Sequence, residues 1–250
     1  MNTSIRTFVP AITLSIIMLI GWEIVVSFFH INRQIVPSPT AILQALLNNF
    51  PVLAIHTGQT LLETVIGLLI AMFLGLATAI LLDTSSWARR AVYPFLITSQ
   101  TIPMIALAPL LLIWFGFDLG PKVIIVVLFC YFPIAITTAN GFAQVDREFT
   151  DLLTSMNASY WKQLWLVRLP SSLPSFFSGL KIAATYAVTG AMVGEYVGAY
   201  QGLGVFIQTS ANAHAIPLVF AIIFVTAITS LFLFGLVSLI EWVVLPWSRK

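Results

Sequence analysis

Charged side chains are scarce in this chain. Of its 250 residues, 8% are Asp, Glu, Lys or Arg, whereas 59% are hydrophobic. A soluble domain carries roughly 25% charged residues, so the composition excludes an ordinary soluble protein. Three long stretches, 91–117, 123–145 and 196–240, hold no charged residue at all. Because a helix needs about 20 mostly apolar residues to cross a bilayer, these stretches indicate membrane-spanning segments.

Cysteine is nearly absent, and so are the common motifs of catalysis. The single Cys130 excludes a disulfide framework and a cysteine-based metal site. The sequence contains no GxxxxGK loop followed by Ser or Thr, which would hold phosphates, and no HExxH zinc motif. The three histidines, His30, His56 and His214, stand far apart along the chain. We therefore expect no catalytic residue, metal site or cofactor site on this chain, and its sequence does not support an intramembrane enzyme.

The apolar stretches predict an all-α membrane protein with six transmembrane helices. A backbone in hydrocarbon must satisfy its hydrogen bonds internally, and the lack of apolar–polar alternation favours helices over a barrel. The first stretch is long and has no small-residue cleavage pattern, which favours a retained helix over a signal peptide. We predict one membrane domain, residues 1–250, with spans at about 8–29, 57–82, 91–115, 122–141, 175–199 and 218–244.

Basic residues predict the orientation of these spans, because Lys and Arg are enriched in cytoplasmic segments. If both termini are cytoplasmic, eight basic residues lie inside and two lie in outer loops. We therefore expect both termini in the cytoplasm. The net charge of +2 reflects this bias and gives no reason to expect a nucleic-acid partner. The inner residues are Arg6, Arg89, Arg90, Arg147, Lys162, Arg168, Arg249 and Lys250, and the outer ones are Arg33 and Lys122.

Small residues recur at every fourth position in two predicted spans. Such ridges let helix backbones approach closely. They indicate either tight packing within one subunit or a face turned toward a second copy or a translocation path. The ridges are Gly67, Ala71, Gly75 and Ala79 in the second span, and Gly179, Ala183, Ala187 and Ala191 in the fifth, where Gly190, Gly194 and Gly198 form another.

Prolines and one acidic residue mark candidate pathway positions. Pro103 interrupts the third predicted span, and broken spans occur around substrate paths in transporters as well as in plain bends. Glu195 lies among glycines near the outer end of the fifth span, where an ionisable group is a functional candidate. Glu23 and Glu63 also lie toward the outer ends of their spans, and a carboxylate near an interface can reach water, as we expect for Glu23. We predict pathway or gating roles for Pro103, Gly194, Glu195 and Gly198.

The longest inner connection, residues 142–174, is polar and amphipathic. Asp146 is a good N-cap for a short helix from Arg147 to Ser155. Asn157 stands where that helix should stop, since Asn tolerates the left-handed cap conformation. A second short helix follows and leads to Leu169–Pro170. The segment is either an interfacial helix lying on lipid or a plug for a soluble partner.

This loop resembles the EAA loop of bacterial ABC importer permeases, in which Glu-Ala-Ala is followed after three residues by Gly and later by Leu-Pro. Leu169–Pro170 match its end, Asn157 replaces the Gly, and Asp151-Leu152-Leu153 replace Glu-Ala-Ala. The acid and the helix-ending residue are thus kept, whereas the two small alanines are not.

Four other segments extend the resemblance over most of the chain. They are VPSPTAILQAL at 36–46, the stretch 99–134, GEYVGAYQGLGVFI at 194–207 and EWVVLPW at 241–247. The chain is most similar to the group that contains permeases for sulfonates, taurine, nitrate, the thiamine pyrimidine and riboflavin. SQTIP and ALAPLLLIWFG, within 99–134, look most like the vitamin-precursor branch.

The resemblance implies a type I ABC importer permease (MetI-like) fold and a homodimer in the bacterial cytoplasmic (inner) membrane. It further implies ABC ATPase subunits that hold ATP and Mg, and an extracytoplasmic solute-binding protein that delivers the solute. The alternative is a stand-alone secondary carrier or channel, for which the predicted midplane offers few ion-coupling groups. The residues expected to couple to the ATPase are Asp151, Leu152, Leu153, Asn157, Ala158, Trp161, Leu169 and Pro170.

Overall fold

The computed structural model describes residues 3–32 and 34–248, which fold into helices and contain no strand. The all-α fold class is confirmed. The helices are α1 (Thr3–Phe28), α2 (Pro39–Asn48), α3 (Phe50–Thr84), α4 (Ser86–Ser99), α5 (Met104–Phe115), α6 (Leu119–Ala143), α7 (Arg147–Ser155), α8 (Tyr160–Gln163), α9 (Leu169–Tyr196), α10 (Leu203–Asn212) and α11 (Ile216–Val244), with a π-helical turn at Leu164–Arg168 and a 3-10 turn at Pro246–Ser248.

Four helices among the described residues are long and apolar enough to cross a membrane. They are α3, α6, α11 and the continuous helix that joins α8, the π-helical turn and α9. The segment predicted as the third span lies in α4 and α5, which are apolar enough together but are bent by 98° at the break between them, so they are either one broken span or a re-entrant loop. The segment predicted as the first span is α1, whose part Ile12–Phe28 is apolar.

Helix α6 lies at the centre of the bundle, between α3 and α9. The small-residue ridges make this possible: a Cβ added at Gly67 or Gly75 would overlap Val126 or Ile134 of α6. On the other side, a Cβ at Gly190 would lie 3.2 Å from the Cα of Val126. The ridges of α3 and α9 therefore serve packing within one subunit, which decides between the two interpretations of their spacing. Their alanines are fully buried in the same interfaces.

The helix that contains α9 begins earlier than the predicted fifth span. Its backbone is already helical at Tyr160, and the turn before Leu169 widens so that the Leu169 N–H donates to the Leu164 carbonyl. Pro170 has no N–H to donate and would clash with the carbonyl of an ordinary preceding turn. The π-helical turn admits the proline without ending the helix. The part of the predicted loop 142–174 that begins at Tyr160 is therefore continuous helix.

The bundle has two chemically different ends. The α7 end contains α7, α8 and the C-terminal ends of α3 and α11. The α10 end contains α10, the N-terminal half of α3, the start of α6 and the C-terminal end of α9. Of the basic residues counted above, Arg33, Arg249, Lys250 and the side chain of Arg6 lie outside the described part of the chain.

Candidate functional site

At the α7 end, α7 is defined by its caps. The Asp146 carboxylate accepts a hydrogen bond of 3.0 Å from the Glu148 N–H, and the helix runs from Arg147 to Ser155 as predicted. Asn157 adopts a φ of 59°, and the next N–H, of Ala158, returns to the Leu153 carbonyl at 2.9 Å. A polar N-cap and a left-handed stop thus confine this helix to about two and a half turns.

Apolar side chains of α7, α8 and the π-helical turn point outward. Leu152, Met156 and Trp161 are 59%, 70% and 61% exposed. Phe149 and Leu152 are three residues apart and therefore share one face of α7. Exposed apolar patches with polar surroundings mark interaction sites. We call this set the α7–α8 surface; its members are Phe149, Leu152, Met156, Trp161, Trp165 and Leu166.

The residues predicted to couple to an ATPase fall on and behind this surface. Asp151, Leu152, Asn157 and Trp161 are exposed, whereas Leu153, Ala158, Leu169 and Pro170 are half-buried. The Gln163 amide joins the two helices by donating to Thr154 Oγ1 and to the Ala158 carbonyl, both at 3.1 Å.

An ion pair anchors α8 to the end of α3. Asp83, whose side chain is 2% exposed, accepts hydrogen bonds from the Tyr160 hydroxyl at 2.8 Å and from Arg168 at 2.5 Å. Leu164, which is buried beside Phe142, fills the space beneath. These contacts hold α8 and the π-helical turn, which carry part of the α7–α8 surface, in place against α3 and α6. Our sequence reasoning missed Asp83; the only signal was an acid at the cytoplasmic end of a predicted apolar span.

At the α10 end, polar side chains are buried instead. Glu195 accepts hydrogen bonds from the Thr60 hydroxyl at 2.7 Å and from the Gly204 N–H at 2.6 Å, and Thr60 accepts one from the Leu203 N–H at 2.8 Å. The first N–H groups of a helix have no partner within it. Side chains of α3 and α9 thus cap α10, and the Gly202 N–H donates to His56 Nδ1 at 3.0 Å.

A second ion pair lies within this buried polar cluster, which we define as Thr60, Glu63, Lys122 and Glu195. Glu63 Oε1 accepts from Lys122 Nζ at 3.2 Å and from the Gln59 amide at 2.8 Å, while Glu63 Oε2 has no hydrogen-bond partner among the described residues. Glu63 and Glu195, which lie toward the predicted outer ends of their spans, are fully buried. Lys122 was predicted to lie in an outer loop, but α6 begins at Leu119 and buries it.

The predicted pathway residues separate into two groups. Gly194 packs against Lys122 of α6, Gly198 against the Phe117 ring, and Glu195 belongs to the buried cluster. Pro103 instead borders a cavity of about 400 Å³ at the break between α4 and α5.

Comparison with known proteins identifies the family. Residues 64–242 match the model of the binding-protein-dependent transport system inner membrane component. The chain belongs to this family of ABC importer permeases. This assignment decides against the stand-alone carrier or channel considered above.

Relatives and solved structures agree with the assignment. The permease is 35% identical, over the whole length of both chains, to the formylaminopyrimidine transport permease protein ThiX of Halalkalibacterium halodurans. It is 32% identical to the riboflavin transport system permease protein RibX of Chloroflexus aurantiacus, over 66% of this chain and 61% of that one. Its fold matches a chain of the inward-facing MetNI methionine ABC transporter with a TM-score of 0.65 and 18% identity, covering 80% of this chain and 98% of the other.

Proposed function

We propose that two copies of this permease form the membrane path of an ATP-driven importer and that each copy docks on a separate ATPase through its α7–α8 surface. The observation that carries the proposal is an exposed apolar surface on a base fixed by the Asp83–Arg168 ion pair. Arg89, Arg147 and Arg168 line a cavity of about 550 Å³ beside α7 together with Asp151. Because Arg168 is paired with Asp83, the lining keeps one net positive charge, which favours a partner with acidic groups. ATP and Mg belong to the ATPase, and the permease itself carries no cofactor.

The α7 end is the cytoplasmic end in this proposal, with both termini on that side of the inner membrane. Its support is the charge distribution, because Arg89, Arg90, Arg147, Lys162 and Arg168 all belong to segments at the α7 end. At the opposite end, the one described basic side chain of the predicted outer segments is Lys122, which is buried and paired. A solute-binding protein would deliver the solute to the α10 end.

The solute we propose is a vitamin precursor of the thiamine pyrimidine type. Support comes from the full-length similarity to a formylaminopyrimidine permease and from the SQTIP and ALAPLLLIWFG segments. The sulfonate, taurine and nitrate permeases to which the chain is also similar have lower identity, at 27%, 27% and 23%.

The coupling role is tested by Leu153→Pro. A proline inside a helix removes a hydrogen bond and costs about 3 kcal/mol or more, so α7 should unfold locally. We expect the ATPase to stop co-purifying with the permease and solute-stimulated ATP hydrolysis to disappear, while the binding protein still binds its solute. Native mass spectrometry of the wild-type complex should show two permease copies.

The matched control is Arg147→Pro, because proline is well accommodated at the first position of a helix. Arg147→Ala separates the loss of charge from the effect of the ring. Both Arg147 variants lose the same charge beside the cavity, so they should weaken ATPase binding equally and far less than Leu153→Pro does. If Leu153→Pro also keeps a bound and stimulated ATPase, the α7–α8 surface is not the docking element.

A further inference from the structure

The break between α4 and α5 forms one wall of a cavity. The chain leaves the helix at Gln100 and re-enters it at Met104, and the axis turns by 98°. At membrane depth, non-helical backbone is tolerated only where it is buried in protein or lines a water-filled cavity. The cavity of about 400 Å³ at this break lies between α4–α5, α6 and α9, and its size is within the range of about 300–1,000 Å³ typical of ligand pockets.

Aromatic rings and unpaired hydrogen-bonding groups line this cavity together. Phe129 and Phe132 come from α6 and Tyr186 from α9, while Gln100 contributes its amide from the break. Among the described residues, neither the Gln100 amide nor the Tyr186 hydroxyl has a hydrogen-bond partner, and the Met104 and Ile105 N–H groups at the start of α5 have none either. Donors and acceptors are therefore available to a solute beside faces suited to a flat ring.

Charge discriminates between classes of solute. Within the described residues, none of the side chains lining the cavity is charged. Lys181, the cation of α9, does not line the cavity; its Nζ donates to Glu241 Oε2 at 2.8 Å. The start of α5 supplies at most about half a positive charge, whereas a buried full anion requires a paired countercharge. A neutral aromatic heterocycle needs only stacking and a few hydrogen bonds, which this cavity offers.

We propose that this cavity is a solute-binding site on the translocation path, specific for neutral nitrogen heterocycles of aminopyrimidine size. Tyr186 and Gln100 are its specificity-determining residues: the ring of Tyr186 stacks on the solute, and the Gln100 amide pairs with a ring nitrogen or an exocyclic amine. The inference rests on the proposed transport function and adds the site at which the solute is selected within the membrane.

The test uses the complete transporter, with its ATPase and binding protein, reconstituted in proteoliposomes. The probes are radiolabelled formylaminopyrimidine and ethanesulfonate, the latter as an anionic solute. Wild type should take up the pyrimidine in an ATP-dependent manner. Tyr186→Leu and Gln100→Met should each lower the kcat/KM of uptake at least tenfold, whereas Tyr186→Phe, which keeps the ring, should lower it less than threefold.

Ile182→Ala and Ile97→Ala serve as controls, because both residues are exposed on the same helices but do not line the cavity. They should transport as wild type, and all variants should keep the ATPase bound with unchanged basal ATP hydrolysis. Wild-type uptake by Tyr186→Leu and Gln100→Met would show that the cavity lies off the path, and uptake of ethanesulfonate in preference to the pyrimidine would overturn the solute class. Loss of ATPase binding in wild type would instead overturn the proposed function.

Discussion

The two ends of this permease use charged and apolar groups in opposite ways. At the α10 end, Glu63, Lys122 and Glu195 are buried and bonded to groups of the same chain. At the α7 end, Leu152, Met156 and other apolar side chains lie exposed. The first arrangement is bonded within one subunit, because the α10 N-terminus, Lys122 and one oxygen of Glu63 find partners there. The second is incomplete, because its apolar side chains are removed from solvent only when another molecule covers them.

This contrast makes quantitative predictions about the free energy of unfolding, which should depend strongly on the buried cluster and weakly on the α7–α8 surface. The largest effect is expected for Lys122→Met, which leaves the buried Glu63 carboxylate without its countercharge. Breaking one side of a buried pair costs about 3–5 kcal/mol. Unfolding in detergent micelles, followed by tryptophan fluorescence, measures the loss.

The double variant Glu63→Gln with Lys122→Met should recover most of that stability, since residue 63, which had been paired with Lys122, then carries no charge, and Glu195 keeps its hydrogen bonds to Thr60 and Gly204. Lys181→Met is the matched control, because its partner Glu241 is 24% exposed at the side chain and such pairs contribute less. Equal losses for Lys122→Met and Lys181→Met would show that the cluster is hydrated rather than sealed.

A smaller loss is expected for Asp83→Ala at the base of the α7–α8 surface. It removes hydrogen bonds from Arg168 and Tyr160, but the Arg168 side chain is 24% exposed and can be solvated once its partner is gone, so the total loss should stay near that of one bond to a charged group, about 1.5–3 kcal/mol. The variant should still bind the ATPase through the exposed residues, but the amount of solute transported per ATP should fall. Tyr160→Phe removes one of these bonds and should keep near-normal coupling; equal uncoupling by both variants would contradict the role assigned to the ion pair.

A large side chain placed at a glycine should lower the free energy of unfolding where helices are in close contact and leave it unchanged where the glycine faces open space. A Cβ at Gly194 would lie 3.2 Å from the Lys122 Cα, so Gly194→Leu should destabilise the permease by about 1–3 kcal/mol. Gly58→Leu is the control, because nothing lies within 4 Å of a Cβ added there. Uptake assays on the same proteins test the predicted pathway role of Gly194. Unimpaired stability of Gly194→Leu would mean that α6 and α9 separate easily at this point.

The smallest change in stability is expected for Leu152→Ser. Surface substitutions usually shift the free energy of unfolding by no more than about 0.5 kcal/mol. The same change should nevertheless weaken ATPase binding, measured by co-purification and by titration of the ATPase onto the permease in nanodiscs. A substitution that left both quantities unchanged would place Leu152 on lipid rather than against a partner.

Local features of this structure follow directly from the sequence. Asp146 and Asn157 set the two ends of α7, because capping depends on neighbouring backbone groups only. The every-fourth-residue ridges likewise predicted close helix contacts, although their spacing alone did not show that α6 is the partner of both.

Long-range pairs could not be predicted in the same way. Asp83 and Arg168 are 85 residues apart in sequence, and Glu63 and Lys122 are 59 apart. Nothing in the pattern of one helix specifies which distant side chain meets it. Pro103 predicted an irregularity, but the size of the bend depends on how α5 packs on α6.

The unbroken helix from Tyr160 to Tyr196 joins the two ends of the molecule mechanically. Its 37 residues include Trp161 of the α7–α8 surface near one end and Glu195 near the other. Gly179, close to its midpoint, rests against the backbone of α6 at Pro133 and Ile134. Each half of the helix is about 25 Å long. If the helix tilts by about 10° as a rigid body about Gly179, its two ends move by about 4 Å in opposite directions. Since the Glu195 carboxylate accepts a hydrogen bond from the Gly204 N–H at 2.6 Å, one helix carries both Trp161 of the α7–α8 surface and a group that caps α10 at the opposite end of the bundle.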